Sequence, residues 1–125
     1  MRKSDLKFKL SELAFQVTQN SATEPPFSGE FYDCFEDGAY KCICCDSDLF
    51  HSDDKFNSST GWPSFHSSIN KDAVETVSDN TFGMQRTEVV CSNCNAHLGH
   101  VFDDGPKPSF KRYCINSVAL NFVKK

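Results

Sequence analysis

The stretch "KCICCD", residues 41–46, places three cysteines in four positions, and which of them hold a metal decides how this chain folds. Cys42 and Cys45 have the C-x-x-C spacing that lets two thiolates from one tight turn reach a single tetrahedral ion at about 2.3 Å. "CSNC", residues 91–94, repeats that spacing with Cys91 and Cys94. Cys44 is adjacent to Cys45, and offering both neighbouring sulfurs to one ion needs an awkward backbone, so Cys44 is read as outside the site. Cys42, Cys45, Cys91 and Cys94 are therefore expected to form a structural zinc site. Residues 46 to 90 lie between the two pairs, so the ion would clamp two distant hairpins of a larger domain rather than close a small ribbon.

The surrounding composition agrees with a metal-clamped domain. The chain has 125 residues, long enough for one domain with its own core, and 1–125 is expected to be a single unit. A formal net charge of −4 leaves no basic footprint for a polyphosphate, so nucleic acid is not an expected partner. The opening "MRKSDLKFKL" lacks the apolar run of a secretory signal, and nowhere do about 18 apolar residues follow one another. A cytoplasmic protein without membrane contact is expected. Seven cysteines, an odd count in such a chain, point to metal or thiol chemistry rather than a disulfide framework.

In "SDLKFKLSELAFQVTQN", Leu6, Leu10, Leu13, Ala14 and Val17 recur at helical spacing, with Ser4 or Ser11 available as N-cap. Pro25, Pro26 and Gly29 then suit a wrapping loop. Beyond it, short β-branched and aromatic runs ("AYKCI", "AVETV", "FGMQRTEVVC", "KRYCINSVALNFV") alternate with turn clusters such as "DDGPKP". The expected body is a small antiparallel β domain.

Three groups carry candidate chemistry. In "CNAHLGHVF", Cys94, His97 and His100 stand three apart and suggest a rival catalytic zinc site, but four thiolates already complete a tetrahedron. Gly99 beside the histidines permits a tight backbone that could turn both imidazoles toward one cleft, with a capping role as the alternative. In "KRYCINS", a strand over 112–122 would put Arg112, Cys114 and Asn116 on one face, continuing through Val118, Leu120 and Phe122. A free cysteine ionises near pKa 8.5, and a guanidinium beside it raises its thiolate fraction. An ordinary buried strand cysteine fits the same pattern, so a thiol enzyme and a zinc-clamped binding domain both stand. Trp62, the only tryptophan, lies between Gly61 and Pro63 in "SSTGWPSF", a rigid turn suited to a wall for a small apolar group.

Taken in order, "VTQ", "TEPPFSGEF", "YKCICCDSDLF", "TGWPSF", "RTEVVCSNCNAHLGHVFDDGPKPS" and "RYCINSVAL" resemble the methionine-R-sulfoxide reductase B family from about residue 10 to residue 122. The resemblance implies a mainly β fold of two antiparallel sheets with a short N-terminal helix and a structural zinc. It implies reduction of the R epimer of methionine sulfoxide, mainly in oxidised proteins, through a cysteine sulfenic acid that a thiol reductant such as thioredoxin returns to thiol. Cys114 matches the nucleophile. His97, His100 and Asn116 match the residues around the sulfoxide oxygen, Trp62 the wall for the methyl group, and Arg112 and Phe102 further lining positions.

Two departures stand out. Many family members carry a resolving cysteine immediately before "GWPSF", where this chain has Thr60; Cys34 is the favoured substitute, with Cys44 or an external thiol as alternatives. Phe110 and Lys111 occupy a region that commonly contains glycine in the family. A monomer is expected, and the competing function is a non-catalytic zinc-stabilised interaction module.

Overall fold

A computed structural model describes residues 10–20, 22–27, 29, 31, 36–58, 60–79, 86–107 and 109–124. Helix α1 spans Glu12–Asn20. Ser11 caps it, its Oγ accepting from Ala14 N at 3.2 Å. Ser4 and Leu6 lie outside the described residues. The buried face comprises Ala14, Val17 and Thr18, whereas Leu13, expected to pack inward, is 39% exposed.

Nine strands follow among the described residues: β1 (Gly38–Cys42), β2 (Asp48–His51), β3 (Lys55–Phe56), β4 (Ser64–Phe65), β5 (Val74–Asp79), β6 (Arg86–Cys91), β7 (His97–Phe102), β8 (Arg112–Ile115) and β9 (Leu120–Lys124). They form two antiparallel sheets, one ordered β2-β1-β9 and the other β3-β4-β8-β7-β6-β5. The expected mainly β architecture of two sheets with a short helix is thus observed. The short β2, β3 and β4 and the glycine-interrupted β7 were not among the strands expected from residue pattern.

The uninterrupted strand over 112–122 is corrected. Ser117–Ala119 form a 3-10 turn between β8 and β9, and those two strands belong to different sheets. Strand alternation therefore places Arg112 and Cys114 together but does not reach Val118, Leu120 and Phe122. The crossover brings apolar side chains of both sheets into one core. Phe65 of the larger sheet stacks on Phe50 of the smaller at 4.4 Å and meets Tyr40 edge-on at 5.2 Å. All three rings are fully buried, and each contributes about 1.5–3 kcal/mol by leaving water.

Phe110 gives the glycine-poor "PSFK" segment a physical reading. Its φ is +60°, in the left-handed region that bulky L residues avoid. The loop holds it there through bonds from Phe110 N to Pro106 O and from Gly105 N to Phe110 O. The ring is 55% exposed, so little packing offsets the strain. Phe110→Gly is expected to raise stability by about 1 kcal/mol. A lower denaturant midpoint for that variant would contradict it.

Candidate functional site

Two cysteine turns of matching design face one another. After β1, Asp46 N donates to Cys42 O and Cys42 N to Ser47 O; after β6, Asn95 N donates to Cys91 O and Cys91 N to Ala96 O. Asp46 and Asn95 have φ of +66° and +63°, a conformation that Asp and Asn tolerate better than most residues. The four Sγ atoms of Cys42, Cys45, Cys91 and Cys94 all lie within 4.8 Å of one another. Cys42–Cys94 and Cys45–Cys91 are each separated by 3.6 Å. A tetrahedral thiolate site with bonds of about 2.3 Å has edges of about 3.8 Å, so the four residues could hold a metal ion. Cys44 is outside this group, 2% exposed and accepting from Gln19 Nε2 of α1.

The same β6–β7 hairpin carries the other site on its body. His97 and His100, three residues apart, would face opposite ways on a regular strand. A bulge prevents this: Val89 pairs with Gly99 but Val90 with His97, leaving Leu98 as the extra residue. The imidazoles consequently meet edge-on, 5.4 Å between centroids. His97 is buried, its Nδ1 3.0 Å from Glu88 Oε2. A carboxylate only accepts, so Nδ1 carries the proton and the ring is fixed in orientation.

β8 lies alongside. His100 pairs directly with Cys114 and Phe102 with Arg112, bringing each pair to the same face. The Arg112 guanidinium lies 4.5 Å above the Phe102 ring and donates through Nε to Asp104 Oδ1 at 2.9 Å. Gly99 permits the close approach, since a Cβ there would lie 2.0 Å from Cys114 O.

The fourth wall comes from loops. Gly61 adopts φ +90°, and a Cβ there would meet Phe27 N at 2.7 Å; the glycine lets Trp62 turn inward. Trp62 Nε1 donates to Glu24 O at 3.0 Å. Glu24 N donates to Asn116 Oδ1 at 3.0 Å, and Asn116 Nδ2 donates to Leu98 O at 2.9 Å. Asn116 thus ties the indole support to the histidine strand. Glu24, one of the residues not singled out from sequence, is 1% exposed, and its Oε1 accepts from Val118 N at 3.0 Å. Burial pushes its carboxyl above the ordinary range.

These elements enclose a cavity of about 230 Å³, lined among others by Thr60, Trp62, His100, Phe102, Arg112 and Cys114. Asn116, Gly99, Thr23 and Arg86 line it too; His97 is not a lining residue and stands behind His100. Six of the seven expected cavity residues therefore border one space. Cys34 lies outside the described residues.

Burial pushes the Cys114 thiol above its ordinary value, while the Arg112 guanidinium and the Thr60 hydroxyl oppose that shift. The groups beside the sulfur thus favour its ionised form against the cost of burial. Glu88, Thr23 and Arg86 were missed in sequence. Glu88 stands opposite His100 in the β6–β7 pairing, a register that its local sequence does not announce.

Comparison with known proteins places this geometry. The SelR domain matches residues 10–124. Peptide methionine sulfoxide reductase MsrB of Escherichia coli O139:H28 (strain E24377A / ETEC) is 51% identical over 119 residues, covering 95% of this chain and 87% of that protein. The MsrB of E. coli strain K12 / DH10B shows the same identity and coverage. With the matched segment supplying both the four-cysteine group and the whole β6–β7–β8 face of the cavity, the chain belongs to the SelR family of MsrB-type peptide methionine sulfoxide reductases.

Proposed function

We propose that this chain is one folded unit that reduces the R epimer of methionine sulfoxide in oxidised proteins to methionine. The observation that carries the reading is Cys114 in a cavity between the Trp62 indole and His100. The Cys114 thiolate attacks the sulfoxide sulfur, and the oxygen leaves the methionine as it gains a proton. His100 lines the cavity and is the group favoured to deliver that proton, with His97, fixed by Glu88, positioning it. Methionine sulfur gains two electrons, Cys114 loses two, and the oxygen ends on Cys114 as a sulfenic acid. Two thiol equivalents, from thioredoxin or another dithiol, return it to thiol with release of water.

The epimer preference follows from the two unlike walls. With the methyl group on Trp62 and the oxygen toward His100, the S epimer presents each group to the wrong side. Asn116 acts mainly by holding the walls together, its amide being bonded to Leu98 and Glu24. Arg112 and Phe102 border the same space; the Arg112 guanidinium favours the thiolate, and the Phe102 ring lies against that guanidinium. Zinc is the metal that four thiolates in this geometry suit, one per chain, in a structural role. A non-catalytic interaction module would need the metal group and the core but not this cavity.

Recycling does not use Thr60, which has no thiol, and Cys44 is buried among the core side chains. Cys34 and an external thiol remain as proposed routes. The test is to incubate fully reduced protein, without added reductant, with a peptide carrying either sulfoxide epimer. Up to one methionine per chain is expected from the R epimer, with Cys114 oxidised or linked to Cys34 by mass spectrometry. Equal yields from both epimers, or none from R, would overturn the reading.

A further inference from the structure

Thr60 has a second significance beyond the missing thiol. Its hydroxyl is 2.8 Å from Ser58 Oγ, which is 2.6 Å from Ser64 Oγ. Ser64 Oγ donates to Trp62 O at 3.2 Å. Ser64, 1% exposed, pairs with Cys114 across the β4–β8 ladder, and Thr60 and Cys114 line the same cavity, where the Thr60 hydroxyl opposes the rise that burial imposes on the thiol. Three hydroxyls thus run from the nucleophile to the backbone of the tryptophan wall.

Proton counting couples their directions, because each hydroxyl has one hydrogen to give, and the bond to Trp62 O selects one of two orders. Ser64 gives its hydrogen to Trp62 O, so Ser58 must donate to Ser64. Thr60 must then donate to Ser58. That leaves Thr60 Oγ1 only as an acceptor toward Cys114, which suits a neutral S–H. A thiolate requires the opposite order: Thr60 donates to Sγ, Ser58 to Thr60 and Ser64 to Ser58, and the bond to Trp62 O is released.

We propose that Thr60 is the hydroxyl partner of the Cys114 sulfur, heading a reversible Thr60–Ser58–Ser64 chain that accepts from the thiol and donates to the thiolate. No proton travels out through the chain. Each hydroxyl only rotates, and the thiol proton leaves to His100 or to water at the cavity mouth. A hydrogen bond to an ionised group is stronger than a neutral one, so reversal favours ionisation, opposed by the Ser64–Trp62 bond that must be given up. The inference rests on the proposed role of Cys114 as nucleophile.

The experiment is the pH dependence of iodoacetamide modification of Cys114, read by site-resolved mass spectrometry on the reduced, metal-loaded protein. Thr60→Val keeps the shape and removes the hydroxyl; the Cys114 midpoint is expected to rise by about one pH unit, a roughly tenfold loss of thiolate near neutrality. Thr60→Ser should restore it. Ser64→Ala removes the link that holds the chain in the thiol-accepting order, so its midpoint should fall below that of the unmodified chain. Coincident profiles for Thr60→Val and Thr60→Ser would overturn the role of Thr60. A rise for Ser64→Ala would overturn the chain. None of these readings involves a sulfoxide, so a parallel R-sulfoxide assay separates failure of the chain from failure of the proposed activity.

Discussion

Replacing Cys114 by serine is expected to lower R-sulfoxide reduction by about three orders of magnitude or more, as loss of a nucleophile does in other covalent enzymes. A serine hydroxyl stays protonated at neutral pH and is a far weaker nucleophile than a thiolate. Nor can its oxygen take up the sulfoxide oxygen in a sulfenic acid. The fold has no stake in the sulfur: Cys114 is half-buried in a strand whose pairing with Ser64 and His100 is made by backbone. Metal content and unfolding midpoint should therefore stay as in the unmodified chain. Appreciable turnover by Cys114→Ser would remove Cys114 from the mechanism.

Metal removal should behave in the opposite way. Binding of zinc by four thiolates is worth about 10–16 kcal/mol in isolated zinc-finger peptides, comparable with the roughly 5–15 kcal/mol stability of a whole domain. Here the four sulfurs join the β1 turn, in the smaller sheet, to the β6–β7 turn, in the larger. A chelator, or Cys91→Ser, is expected to cost about 5 kcal/mol or more and to lower the melting midpoint by roughly 15 °C or more. Elemental analysis should find one zinc per chain beforehand. Native protein free of metal and indifferent to the chelator would reduce the four cysteines to ordinary core thiols.

The metal group was legible in sequence because C-x-x-C is a local pattern whose geometry one turn dictates. Cys44 was separable for the same reason. The face that carries Cys114 was only partly legible. Arg112 and Cys114 share it by simple alternation, but His97 shares a face with His100 only through the bulge at Leu98, and a bulge depends on a neighbouring strand. Asn116 was placed on the strand face, whereas the 3-10 turn after it bends the chain into the other sheet. Asn116 still lines the cavity, and its carboxamide also braces the walls through bonds to Leu98 O and Glu24 N. Thr60 illustrates a further limit, since Ser58 and Ser64 are near it in sequence, but only the fold links the three hydroxyls in a row, Thr60 to Ser58 and Ser58 to Ser64.

The sheet order β2-β1-β9 has a consequence for the birth of the protein. Residues 38–42 leave the ribosome long before residues 120–124, the strand that covers their open edge. Until then β1 has only β2 beside it, and a lone hairpin is marginal in water. All four cysteines that could hold a metal emerge before Cys114, so an ion captured early would hold the two halves in place while the last strand is made. Pairings so distant along the chain fold slowly, and the interval exposes a strand edge to other chains. The supply of metal during synthesis would then govern how much of the protein reaches its native form.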